Sequence, residues 1–126
     1  MAMEKRVYYN KLVRDLTKGK IEGKGEACGI RTIDDVQELQ QELLKKVLEE
    51  ATAVAHAKSR ESFLEEYADL MVVLDSLTEL LELSEADIKM ALEDNIECKG
   101  KYTYRHFLEW SADVTYESSE TPQGVR

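Results

Sequence analysis

The chain has 126 residues, 43% of them hydrophobic, and a formal net charge of -9 at pH 7. That length supports one domain with one core, and the apolar content excludes a disordered chain. The acid surplus argues against a nucleic-acid polymer as partner, because polymer binding takes most of its affinity from neutralising phosphates.

The opening Met-Ala-Met-Glu-Lys-Arg holds no apolar stretch of signal-peptide length, and the longest apolar run, Leu70 to Leu74, is too short for a bilayer. A cytoplasmic protein with no membrane contact is the expectation. Strand-like alternation is nearly absent outside Arg6 to Tyr9, and the chain has one proline, Pro122, so the expected fold class is all-α. Residues 18–29 contain four glycines and read as a mobile loop. A first long helix is expected over about residues 34–57, capped by Thr32 or Asp34. Ser59 can cap a second, over about 60–82. Ser84, with Asp87 three residues on, resembles a capping box for a third, which covers about 84–98 and stops at Gly100. One domain, residues 1–115, followed by a loose polar tail over 116–126, completes the organisation. Cys28 and Cys98 lack any metal or disulfide spacing and read as free thiols.

Chemistry enters through acids placed where apolar side chains belong. Wound at about 100° per residue, the second helix puts Glu66 inside the stripe of Phe63, Leu70, Val73, Leu74 and Leu77, with Asp69 at its edge. The first puts Glu50 between Leu39, Leu43, Val47 and Val54. A carboxylate removed from water needs a counter-charge or a metal, so two helices that each aim acids inward suggest a cation between them. Oxygen donors of this type suit Mg²⁺ or Mn²⁺. Basic residues cluster at Lys11 to Lys24 and at Lys99 to Arg105, a layout that suits a metal-bridged nucleotide. The second helix also carries Leu64, Ala68, Met71 and Val72 on its other face, so it reads as buried all round and completed by a second subunit.

Four segments carry a resemblance to a known family: YNKLVRD at residues 9–15, LEE at 48–50, EEYAD at 65–69 and KGKYTYR at 99–105. Together they resemble the MazG-like all-α nucleoside triphosphate pyrophosphohydrolases, and more narrowly the phosphoribosyl-ATP pyrophosphohydrolase-like branch that opens with KLVRD. The resemblance implies a four-helix core, homodimers or homotetramers, and Mg²⁺-dependent hydrolysis between the α and β phosphates of a nucleotide substrate. It maps Glu50, Glu66 and Asp69 onto metal ligands and Glu49 onto the residue that positions or deprotonates water. Lys101 and Arg105 would contact phosphates, with Lys11 and Arg14 assisting, although Asp15 could equally hold Arg14 in a structural salt bridge.

The chain departs from the family pattern at Ala53, where the third acid of EExxE is expected, and after KLVRD, where Leu16-Thr17-Lys18 replaces Ile-Pro. Ala53 sets a second reading beside the first: a catalytically degenerate helical dimer that binds nucleotide or protein. A third is a purely structural bundle, in which Glu50, Glu66 and Asp69 each pair with Lys or Arg instead of converging. His56, two turns beyond Glu49 on its flank, reads as a surface histidine. No ExxH or GxxxxGK[ST] occurs, which argues against a di-iron bundle and a P-loop.

Overall fold

The protein is described here from a computed structural model covering residues 5–113. Four helices and no strand occur among the described residues: α1 (Thr17–Glu22), α2 (Val36–Ala55), α3 (Arg60–Leu80) and α4 (Glu85–Lys99). The all-α expectation therefore holds, and Arg6 to Tyr9 is irregular chain. The expected tail, residues 116–126, lies outside the described residues. The chain divides into two compact units, residues 1–88 and 89–126.

Within the first unit, α2 and α3 pack along one another. A short connection over residues 56–59 returns the chain antiparallel, as such connections do between neighbouring helices. Leu43 of α2 and Val73 and Leu77 of α3 are buried, and Leu12, Leu39, Val47 and Leu80 pack against them. Five of these seven side chains lie on the two stripes read from the sequence, which is the outcome a 3.6-residue period demands. Leu12 was not on either stripe. It brings the amino-terminal segment onto the helix pair.

Two details depart from the sequence reading. The cap of α2 is Asp35, not Thr32 or Asp34: its backbone is extended and its carboxylate accepts the Gln37 N–H at 3.1 Å. A cap must directly precede the first helical residue, here Val36, and the helix starts later than the acid-rich approach suggested. Next, residues 17–22 form the short helix α1 inside the segment read as a loop. Half-buried Ile21 gives that turn an apolar anchor which counting glycines ignores, and the backbone closes through Gly23 N–H to Gly19 O at 2.8 Å. Among the described residues, α3 is covered on one side only. Leu64 is 64% exposed, and Met71, Val72 and Ala68 on the same face are exposed too.

The remaining punctuation follows the sequence. Ser59 Oγ accepts the Ser62 N–H at 3.0 Å and starts α3. Ser84 and Asp87 form the reciprocal capping box, with Ser84 N–H donating to Asp87 Oδ2 at 2.8 Å and Asp87 N–H donating to Ser84 Oγ at 3.1 Å. Gly100, at φ +74°, closes α4 in the left-handed conformation that glycine adopts at little cost.

Candidate metal centre

Glu50 of α2 and Glu66 and Asp69 of α3 converge. Each is half-buried, and one carboxylate oxygen from each lies within 4.8 Å of the others. Glu66 and Asp69 are three residues apart on one helix, so both reach the same point beside it. The antiparallel return then presents Glu50 from the facing helix. Oxygens bound to one octahedral Mg²⁺ sit about 3 to 4 Å apart, so side-chain rotation of under about an ångström would bring these donors to that spacing. The donor set fits a hard divalent cation, and Ala53, three residues after Glu50, offers no oxygen to it. Among the described residues no other acid joins the three.

Glu49 is placed differently. Adjacent helical residues point about 100° apart, so it turns away from the three as Glu50 turns toward them. Its two oxygens accept hydrogen bonds from Lys11 Nζ and Lys46 Nζ, each at 3.0 Å. Lys11 first, and then Lys46, hold the Glu49 carboxyl below the ordinary glutamate range. Glu49 is thus ionised over the whole physiological range.

Lys46 is the cation beside the acid group that the sequence reading missed. Its side chain is only 13% exposed, and its Nζ lies 3.0 Å from Glu49 and 3.2 Å from Glu50. Burial by itself would pull the ammonium pKa down, but hydrogen bonds to Glu49 and Glu50 and their charges outweigh it and hold the value above that of a free lysine. The signal was available: Lys46 precedes Glu49 by three residues and Glu50 by four, the two spacings at which helical side chains meet.

The amino-terminal segment supplies the other cations. Lys11 reaches Glu49 on α2, while Arg14 reaches Asp69 on α3 at 3.5 Å. Of the two readings of Arg14, the recorded pairing is with Asp69 of the acid group and not with Asp15. The purely structural bundle expected each of the three acids to hold its own cation. Glu50 and Asp69 do, Glu66 makes no ion pair among the described residues, and the three nonetheless converge.

A groove of about 480 Å³ borders this group, its walls including Leu12, Arg14, Lys46, Val73, Ser76 and Leu80. Arg14 and Lys46 are the link, since each also touches an acid of the cluster. A second depression, of about 600 Å³, lies at the α2–α3 turn around Ser59 and Phe63 and carries no acid.

Lys101 and Arg105 belong to the second unit and are exposed on the turn after α4. Arg105 has φ +57°, a conformation uncommon for a non-glycine residue, and its N–H closes the turn on Tyr102 O at 3.1 Å. The two histidines stay outside the acid group. His56 is exposed with Nδ1 2.8 Å from Thr52 O, as a surface histidine should be, and His106 stacks on Tyr104 at a centroid distance of 5.6 Å. Cys28 and Cys98 are free thiols. No helix among the described residues is long and apolar enough to cross a membrane.

Comparison with protein-family models, with curated proteins and with solved structures found no match to this chain.

Proposed function

We propose that this chain is a divalent-cation-dependent nucleotide pyrophosphohydrolase of the MazG-like type, which cleaves a nucleoside triphosphate or a phosphoribosyl-ATP-like substrate between the α and β phosphates to release a monophosphate and pyrophosphate. The observation that carries the reading is the convergence of Glu50, Glu66 and Asp69 from two helices. Three carboxylates this close repel one another, and one hard cation shared by all three relieves that repulsion more directly than separate side-chain cations at Glu50 and Asp69. Such an ion supplies charge neutralisation at the phosphoryl group and a more acidic bound water.

The chain's own groups divide the remaining work. Glu50, Glu66 and Asp69 hold Mg²⁺, or Mn²⁺ in its place. Glu49, ionised and held by two lysines, orients a water molecule or takes its proton. Lys11 and Arg14 of the first unit grip phosphate oxygens, and the resemblance gives the same role to Lys101 and Arg105 of the second unit. The resemblance of residues 9–15 and 99–105 to the family's motifs supports these phosphate roles.

The assembly belongs to the same proposal. Only three side chains are buried in the helix pair, while Leu48, Phe63, Leu64 and Tyr67 are exposed. So small a core in a chain of this length calls for further burial, and a second copy, as a dimer or a dimer of dimers, provides it. A cytoplasmic setting without nucleic-acid polymer or membrane partners fits the acidic charge balance.

The test is direct. Purified protein is mixed with a panel of nucleoside triphosphates and phosphoribosyl-ATP in Mg²⁺, and pyrophosphate is measured. Release that disappears with EDTA and with Glu66→Gln supports the proposal; no release from any substrate overturns catalysis.

A specific observation favours a second reading, a degenerate member that binds nucleotide or protein without hydrolysis. Ala53 removes one acid, and Lys46 and Arg14 already neutralise two of those that remain. Nucleotide binding that is indifferent to Mg²⁺ and to Glu66→Gln would favour it over the first.

A further inference from the structure

Residues 11–15 cross the helix pair at the acid group and are fixed there at three points. Lys11 pairs with Glu49 of α2 at 3.0 Å, Leu12 packs against the core, and Arg14 pairs with Asp69 of α3 at 3.5 Å. Asn10, at φ +48°, turns the chain just before the first of these contacts, a conformation that asparagine tolerates better than most residues. The segment is also a wall of the groove beside the acids, through Leu12, Val13, Arg14 and Asp15.

Of the two charged fixings, Arg14 matters most, because its partner is one of the three converging acids. A guanidinium on Asp69 and a divalent cation held by Glu50, Glu66 and Asp69 draw on the same carboxylate. Both pairs are solvent-accessible, with side-chain exposures of 43% and 44% for Lys11 and Glu49 and of 58% and 46% for Arg14 and Asp69. Accessible pairs are weak and exchange readily. The apolar fixing at Leu12 has no such competitor.

We propose that residues 11–15 act as an electrostatic strap, in which Arg14 on Asp69, with Lys11 on the neighbouring Glu49, neutralises the acids until a divalent cation displaces Arg14, and both side chains then take the phosphates that the nucleotide brings. This rests on the metal reading of Glu50, Glu66 and Asp69. Leu12 is the pivot. It keeps the strap on the helix pair while the charged side chains on either side change partners, so the wall of the groove opens without the segment leaving. Lys46, which belongs to α2 itself, stays with Glu49 and Glu50 throughout. One pair of side chains would then hold the acids ready and clamp the substrate, and the order of events would be metal first, phosphate second.

The experiment uses Mn²⁺ alone, without nucleotide, so that phosphate contacts cannot contribute. Mn²⁺ affinity is measured by calorimetry for the wild type, for the Lys11→Met/Arg14→Met double variant, and for Arg31→Met, which removes an unrelated ion pair to Glu38. The double variant is expected to bind Mn²⁺ about three- to tenfold more tightly, through loss of the Arg14–Asp69 competitor and of the Lys11 charge beside it, with Arg31→Met unchanged. It should also bind a nucleotide in the presence of Mn²⁺ more weakly than the wild type does. Equal Mn²⁺ affinity in wild type and double variant overturns the strap and leaves the metal centre standing. Absence of Mn²⁺ binding from both overturns the metal reading and the strap with it. A second readout needs no variant: tryptic cleavage of the wild type after Lys11 and Arg14 should accelerate when Mn²⁺ is added, and protection of those two bonds by Mn²⁺ overturns the exchange.

Discussion

The α2–α3 pair and helix α4 are built by different rules from similar amino acids. α4 is specified locally: a reciprocal Ser84–Asp87 box opens it, acids at Glu85 and Asp87 suit its first turn, Lys99 suits its last, and Gly100 closes it. None of its residues is buried. α2 and α3 have local caps as well, but their apolar stripes meet, and that meeting brings acids 16 residues apart in sequence within 4.8 Å. Local signals suffice to place a helix. A centre that holds charges against their own repulsion needs two helices locked in register, and only packing supplies that.

The largest effect should come from breaking the packing. Leu77→Ala removes one of three buried side chains, and about 2 to 4 kcal/mol of stability is expected to go with it. Urea denaturation followed by circular dichroism measures the loss. Divalent binding should weaken in parallel, because the register of Glu50 against Glu66 depends on the same contact. A Leu77→Ala protein with unchanged Mn²⁺ affinity would show that the acids do not depend on the core.

Removing charge without disturbing packing sharpens the contrast. Glu66→Gln keeps the shape of a side chain that has no ion-pair partner among the described residues, so stability should change little while Mn²⁺ affinity falls at least about tenfold, equivalent to about 1.4 kcal/mol. Asp87→Asn on α4, which also loses one charge, should leave Mn²⁺ affinity unaltered. Ala53→Glu runs in the opposite direction. A half-buried acid added beside three others should lower the melting temperature in EDTA and raise it in Mn²⁺, since a ligand that binds only the folded state stabilises it.

Much of this architecture was legible beforehand, and the exceptions have physical causes. Glu50, Glu66 and Asp69 could be read because a charge on an apolar stripe violates the helical period, and a period is a property of sequence. The caps at Ser59 and Ser84 were legible for the same reason, as fixed offsets from a helix start. Asp35 was not, because three polar residues in the approach to α2 can each cap and the choice depends on where the packed helix begins. Lys46 escaped notice because lysines near glutamates are ordinary in a charged chain; what distinguishes it is burial, which sequence does not show. Leu12 and the ion pairs of Lys11 and Arg14 depend on where an irregular segment lands, and no period encodes that. The path of residues 11–15 over the helix pair is set by packing alone.

A smaller effect belongs to the start of α3. Ser59→Ala removes the acceptor for the Ser62 N–H and should cost about 1 kcal/mol. Because α3 carries two of the three acids, the loss should appear as faster amide exchange in its first turn, around residues 60–63, with exchange near Val73 unchanged. Uniform acceleration along α3 would mean that the helix opens as one unit and that the cap matters to the whole centre.

The smallest effect is a titration on α4, and it separates local from tertiary control most cleanly. The Asp87 carboxyl is held below the ordinary aspartate range, chiefly by the backbone N–H of Ser84 and then by its side chain. Since the folded value is depressed, the cap contributes above the unfolded pKa of about 3.9 and is lost as pH falls through the lower folded value. An NMR titration from pH 6 to strong acid, followed at the Asp87 carboxyl, should show that depressed midpoint, with the Ser84 amide shifting in step. Ser84→Ala should move the midpoint part of the way back up, because the Ser84 N–H survives the substitution and remains the main cause of the depression. The signals of Val73 and Leu77 should not respond in this window. If they do, the fraying of α4 reaches the α2–α3 core, and the distinction between a locally written helix and a packed pair fails at the junction between α3 and α4.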